Sequence, residues 1–234
     1  MTMAAEAFDV TIAVDAGRQV SGLLLAPEGA RACYVLAPGA GAGMRHPFMA
    51  NVANELAARG VATLRYQFPY MEQGSRRPDP PALAHATVRA AVAEAKRRLL
   101  ACPLVAGGKS FGGRMTSQAQ AAQPLPNVRG LVFLGFPLHP PGKPSVDRAA
   151  HLADVRIPML FVQGTRDDLA DLALIQALTE RLGANAALHL FTEADHSFHV
   201  PVRSGRTDAT VLSEIAGVTT AWIDTTILGR KRTA

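Results

Sequence analysis

The feature that most constrains this chain is a run near its middle, Leu104-Val105-Ala106-Gly107-Gly108-Lys109-Ser110-Phe111-Gly112-Gly113-Arg114-Met115. Residues 104–106 are continuously apolar, as in a short buried strand. Residues 114–122 carry a helix-like pattern. Between them, Gly108-Lys109-Ser110-Phe111-Gly112 leaves almost no chain for the reversal. A turn that tight strains the serine backbone, and a side chain at the flanking glycine positions would strike the strand or the helix. Gly108 and Gly112 meet that demand. The spacing predicts a strand–turn–helix elbow with the Ser110 hydroxyl exposed at the carboxyl end of a central strand.

The rest of the chain is consistent with a sheet built around that strand. A length of 234 residues suits one α/β domain spanning 1–234. With 48% hydrophobic residues a sizeable core can form. Residues 8–14 alternate apolar and polar, and with residues 19–26 they predict an antiparallel hairpin at a sheet edge. Residues 33–36 and 104–106 are continuously apolar, as expected of strands covered on both faces, and further strands are read at 61–66, 128–135, 157–162 and 187–191. Helical spacing at 48–59, 83–100, 171–182 and 208–227 separates most of them, with Gly60 and Gly183 as C-caps. Residues 68–81 read as a loop rich in proline and aromatics. This alternation predicts a mainly parallel sheet with helices on both faces. Ligands of such sheets sit beyond the carboxyl ends of the strands.

The net charge of +5 and pI near 9.7 raise the question of an acidic partner. The basic clusters, Lys96-Arg97-Arg98 and Arg230-Lys231-Arg232, have no interleaved aromatics. They read as a solvated helix face and a tail, and no specific nucleic-acid partner is expected. Cys33 and Cys102 lie beside apolar runs, so reduced thiols are expected rather than a disulfide framework. Residues 1–10 lack the charged and apolar regions of a signal peptide. No run approaches the ~18 apolar residues of a membrane span. The expectation is a soluble protein of the reducing cytoplasm, with no membrane partner, as a monomer or homodimer.

A serine hydroxyl needs a base within hydrogen-bond reach, and that base needs an acid to hold its tautomer. In strand–elbow–helix architectures these partners follow the serine in the order acid, then histidine. Gln163-Gly164-Thr165-Arg166-Asp167-Asp168 ends a strand and supplies the acid. Asp167 is the first choice, ahead of Asp168 and then Asp171, and the competing role for these aspartates is to cap the next helix. Asp195-His196-Ser197-Phe198-His199 follows the last strand and supplies the base, His196. A developing oxyanion needs two fixed donors. The Phe111 amide is one candidate. The other lies in Pro38-Gly39-Ala40-Gly41-Ala42-Gly43, with Ala40 favoured and Gly41 the alternative. Neither metal nor cofactor is expected.

With these residues assembled, the sequence resembles the α/β-hydrolase superfamily. It is most similar to a dienelactone-hydrolase-like branch that also includes a testis-expressed eukaryotic protein and a subunit of the NSL chromatin complex. The matching stretches are Leu36 to Ala42, Arg65 to Met71, Gly107 to Arg114, Phe136 to Lys143, Gln163 to Asp167 and Asp195 to Phe198. The resemblance implies Ser110 as nucleophile, Asp167 as acid and His196 as base. It also implies a carboxylesterase-like or dienelactone-hydrolase-like activity on a small-molecule acyl substrate. Relatives often carry His-Gly-Ala-Gly in the oxyanion loop; here Pro38 replaces that histidine. Phe68, Tyr70, Met71, Leu138 and His199 are the expected pocket residues. The loop from Phe136 to Lys143 is too short for a large lid. A non-catalytic binding or scaffold module is the alternative, and keeping all three triad residues argues against it.

Overall fold

The computed structural model describes residues 6–230. Strands β1 (Phe8–Asp15) and β2 (Arg18–Leu25) form the antiparallel hairpin, closed where the Gly17 amide donates to Asp15 Oδ1 at 3.0 Å. Val10 and Ile12 of β1 are buried while Asp9 and Thr11 face solvent, so alternation decides which face meets the core. The remaining strands are β3 (Ala32–Ala37), β4 (Val61–Tyr66), β5 (Leu104–Lys109), β6 (Val128–Leu134), β7 (Met159–Gly164) and β8 (Ala186–Phe191). The eight lie in the order β1-β2-β4-β3-β5-β6-β7-β8. β2 pairs antiparallel with β4, and every pairing from β4 across to β8 is parallel.

Helices cover both faces. On one face, α1 (Pro47–Ala57) and α6 (Asp208–Trp222) pack Met49, Val52, Val211 and Ile215 against Tyr34, Val105 and Val162. The short α2 (Pro69–Glu72) leads into α3 (Pro81–Arg98), which shares the other face with α4 (Phe111–Ala122) and α5 (Leu172–Leu182). There Val88, Met115 and Ile175 meet Val35, Ala106 and Phe133. No separate cap domain is evident among the described residues.

Four local differences from the sequence expectations have simple causes. The 68–81 stretch contains α2, because Pro69 at its first position presets the helical φ. α4 begins at Phe111, directly after Ser110 and ahead of the apolar pattern that marks its interior. A 3₁₀ segment, Asp147–Asp154, follows β6 with only Ala149 and Leu152 buried, too little periodicity to mark it in the sequence. The last helix passes into a π turn at Ile223–Ile227, which keeps Ile223 and Ile227 on the buried face.

The chain runs from β3 to β4 on one side and then returns to place β5 on the other side of β3. The loops after β3 and β5 therefore diverge and open a crevice at the carboxyl ends of the sheet.

Candidate active site

Ser110 sits at that crevice with φ 48° and ψ −116°, in a region that costs a non-glycine residue about 1–3 kcal/mol. The neighbouring glycines show why the strain is held. A Cβ on Gly108 would lie 2.2 Å from the Ala37 carbonyl oxygen, and one on Gly112 would lie 2.5 Å from that of Pro38. β5, α4 and the end of β3 are thus pressed together at distances only glycine permits.

Asp167 and His196 arrive on two loops tied to each other. After β7, the Thr165 and Arg166 amides donate to the carbonyls of Phe191, the last residue of β8, and Ala194, on the loop that follows it. Gly164 makes the approach possible, since a Cβ there would meet the Ala194 oxygen at 2.3 Å. Asp195 then folds the second loop on itself: its Oδ1 accepts from the amides of Ser197 at 2.7 Å and His199 at 3.0 Å. This presents His196. Its Nε2 lies 2.8 Å from Ser110 Oγ, and its Nδ1 lies 2.7 Å from Asp167 Oδ2. With Nδ1–H donating to the carboxylate, Nε2 is free to accept the serine proton. The Asp167 carboxylate is buried but supplied with donors, since Gln163 Nε2 and the Leu169 amide also donate to it. Asp168 is exposed and Asp171 caps α5 by accepting from the Leu174 amide at 3.0 Å.

The loop after β3 is braced from β4 and α2. Arg65 Nη1 donates to the Met44 carbonyl at 3.0 Å, and Gln67 Oε1 accepts from the Met44 amide at 2.9 Å. The Gly41 amide donates to the Tyr70 hydroxyl at 2.9 Å, so it is already engaged and not free for an oxyanion. Among the described residues, the Ala40 amide has no acceptor, nor has that of Phe111 at the first position of α4. Pro38 lends its carbonyl to the close packing over Gly112 and lacks the side chain that would bond within the loop.

Two open depressions flank Ser110. One, of about 410 Å³, is bordered by Phe111, Arg114, Met115, Arg148 and Asp79. The other, of about 360 Å³, is bordered by His46, Phe48, Lys109 and His196. None of Phe68, Tyr70, Met71, Leu138 and His199 borders either. Phe68 and Leu138 are fully buried in the core, where Phe68 stacks edge-on against Phe111. Met71 packs against the same core, Tyr70 supports the Gly41 amide from behind, and exposed His199 pairs with Asp208. The aromatics follow a parallel strand as expected, but their bulk is spent on packing beneath the site.

Sequence reasoning missed three groups here. Gln163 was hidden in an apolar strand, although a glutamine in such a run is itself a signal. Lys109 donates to the His196 carbonyl and lies 5.4 Å from the centre of the Phe198 ring. Burial pushes its ammonium down to about 8, against the pull of the Asp167 and Asp195 carboxylates. Arg114 and Arg148 reach the larger depression from segments with no recognisable charge pattern.

A mainly parallel sheet, a serine elbow after β5, and an acid and histidine after β7 and β8 together define the α/β-hydrolase class. The family described as alpha/beta hydrolase domain matches residues 30–224, and the chain belongs to it. Solved structures agree on the fold. A dienelactone hydrolase from Anabaena variabilis is 20% identical with a TM-score of 0.76, covering 95% of this chain and 99% of that one. A lidless α/β serine hydrolase from Xanthomonas campestris is 18% identical, TM-score 0.71, covering 98% and 97%. The esterase domain of a Rhodothermus marinus protein is 15% identical, TM-score 0.71, covering 93% and 98%. No described helix is long and apolar enough to cross a membrane.

Proposed function

We propose that the protein is a serine hydrolase that cleaves a small to medium carboxylic ester, or a related thioester or amide, through an acyl-enzyme. The observation that carries this reading is the unbroken hydrogen-bonded line from Ser110 Oγ through the His196 ring to Asp167, at 2.8 Å and 2.7 Å. Ser110 Oγ attacks the acyl carbon while its proton passes to His196 Nε2. Asp167 holds the imidazole in the accepting tautomer and stabilises the imidazolium that forms. The oxygen that becomes negative is taken up by the amides of Ala40 and Phe111. Collapse of the tetrahedral intermediate expels the alcohol, which takes the proton from His196. Water, deprotonated by the same ring, then releases the acid and restores Ser110. No cofactor enters these steps.

The open depressions favour short acyl and alcohol groups over long lipids. The reading extends to one domain over residues 1–234, working in the cytoplasm on a small molecule. Within the superfamily, the sequence stretches favour the dienelactone-hydrolase-like branch with its testis-expressed and chromatin-complex relatives. Labelling by a fluorophosphonate probe tests the nucleophile. Wild type is expected to label and Ser110→Ala is not; a folded Ser110→Ala protein that still labels removes Ser110 from the role.

A further inference from the structure

The loop that presents His196 is bent more sharply than its residues favour. Glu193 and Phe198, neither of them glycine, take positive φ angles of 59° and 65°. Backbone of this kind persists only where its surroundings hold it. From within the loop, Asp195 Oδ1 takes the Ser197 and His199 amides, and the Phe198 amide donates to the Asp195 carbonyl. The His196 carbonyl is left over. Among the described residues no backbone amide donates to it, and its donor is Lys109 Nζ.

That lysine comes from the other side of the reacting bond. It is the last residue of β5 and directly precedes Ser110. Its stem passes Gly39, where a Cβ would lie 3.5 Å from Lys109 Cγ. Its ammonium arrives beside Gly135, where a Cβ would lie 2.9 Å from Nζ. Phe48 of α1 and Phe198 of the His196 loop stack at 5.9 Å with 8° between their planes. Nζ lies 5.9 Å and 5.4 Å from the centres of these two rings. One side chain therefore joins the elbow, the His196 loop and the helix that follows the Gly39–Gly43 loop.

We infer that Lys109 is a positioning residue of the reaction proposed above, tying the His196 carbonyl to the elbow so that Nε2 stays in line with Ser110 Oγ. Its effect on rate rests on the hydrolase reading; the tie itself does not. β5 and β8 are separated in the sheet by β6 and β7, so the serine and the histidine share no strand pairing. A cation attached next to the nucleophile and bonded to the backbone of the base closes a ring around the 2.8 Å contact. The reach of the imidazole is then set by one side chain rather than by the sum of two loops. The tie is also charged. Burial brings the Lys109 ammonium down to about 8, against the pull of the Asp167 and Asp195 carboxylates. His46 and His196 border the same depression, and Gly135 brings no charge from the end of β6. Below that pH a charged ammonium donates to the carbonyl; above it a neutral amine does. Charge-assisted bonds are roughly twice as strong as neutral ones, so alkaline pH forfeits about half of the tie.

The test follows second-order rates of fluorophosphonate inactivation from about pH 7 to about pH 9.5, on either side of the lysine titration. At neutral pH, Lys109→Met is expected to react about tenfold more slowly than wild type, through loss of the donor to His196. Wild type is expected to slow about threefold as the pH passes 8, and Lys109→Met is not. Lys109→Arg stays charged throughout this range and is also expected to lose the alkaline decline, so it decides the matter if Lys109→Met fails to fold. A folded Lys109→Met protein that reacts as fast as wild type, or an alkaline decline kept by either folded variant, overturns the inference and leaves the hydrolase reading standing. A wild type that does not label sinks the hydrolase reading instead. The tie is then read by NMR, where the His196 ring signals are expected to move as Lys109 titrates in wild type and to stay still over the same range in Lys109→Met. Ring signals alike in both proteins overturn the tie.

Discussion

The two sides of Ser110 each carry a cation withdrawn from water, and the protein treats them differently. Lys109, immediately before the serine, donates to the His196 carbonyl, lies against Phe48 and Phe198, and is within the field of Asp167 and Asp195. Arg114, one helical turn after the serine, has a buried Nε with no partner and a second arginine nearby. Lys109 makes its bond within the chain, whereas Arg114 leaves one buried N–H unsatisfied beside an open depression.

The largest effect concerns what both sides share. Ser110→Ala is expected to lower kcat on 4-nitrophenyl esters by about 10⁴-fold or more, with Asp167→Asn losing about as much through the wrong imidazole tautomer. If either variant kept near wild-type turnover, the two sides would flank no reacting atom. The floor beneath them is next. Gly108→Ala is expected to cost on the order of 3 kcal/mol or more, read from urea midpoints, because its Cβ would sit 2.2 Å from the Ala37 oxygen at a φ of 151°. Loss below 1 kcal/mol would mean that β5 and β3 can separate, and the elbow would not be rigid. A smaller effect isolates Lys109. Lys109→Met removes the donor to the His196 carbonyl while keeping bulk between the rings, and kcat is expected to fall about tenfold with KM little changed. A change confined to KM would place Lys109 with the ligand rather than with the scaffold.

The contrast also marks what the sequence could reveal. Strand positions were legible because mostly apolar segments recur between helical ones, and β4 falls on residues 61–66 as expected although it carries Thr63 and Arg65. The elbow was legible because glycine at 108 and 112 answers a steric demand that no other residue meets. Asp167 and His196 followed from chain order, and the structure brings them to Ser110. The lining of the site was not legible. Phe68 and Leu138 sit in the right loops, but whether an aromatic or leucine turns inward is settled by packing between distant segments. Arg114 and Arg148 become neighbours of the same cavity only after α4 and the 3₁₀ segment pack together. In the sequence they resemble other arginines, such as Arg45, which is spent on exposed Asp9.

The smallest effect reads the uncompensated charge of Arg114 directly. His151 is bonded through Nε2 to Ser117 Oγ at 2.7 Å, and burial first, then the Arg114 and His85 charges, push it down to about 4; only Asp154 pulls the other way. Between pH 6.5 and about 4 the unfolded chain binds a proton at this position that the folded chain refuses. Unfolding therefore takes up protons, so stability is complete above pH 6.5 and is lost as pH falls towards 4. The ring is partly exposed, which discounts the loss to about 1–2 kcal/mol. Urea midpoints at pH 7 and pH 4.5 should differ more in wild type than in His151→Gln, which cannot titrate. In Arg114→Gln the His151 ring, followed by NMR, should titrate at a higher pH than in wild type, narrowing the window. An unchanged His151 titration in that variant would show that the Arg114 charge is already neutralised, and the two sides of Ser110 would then be alike.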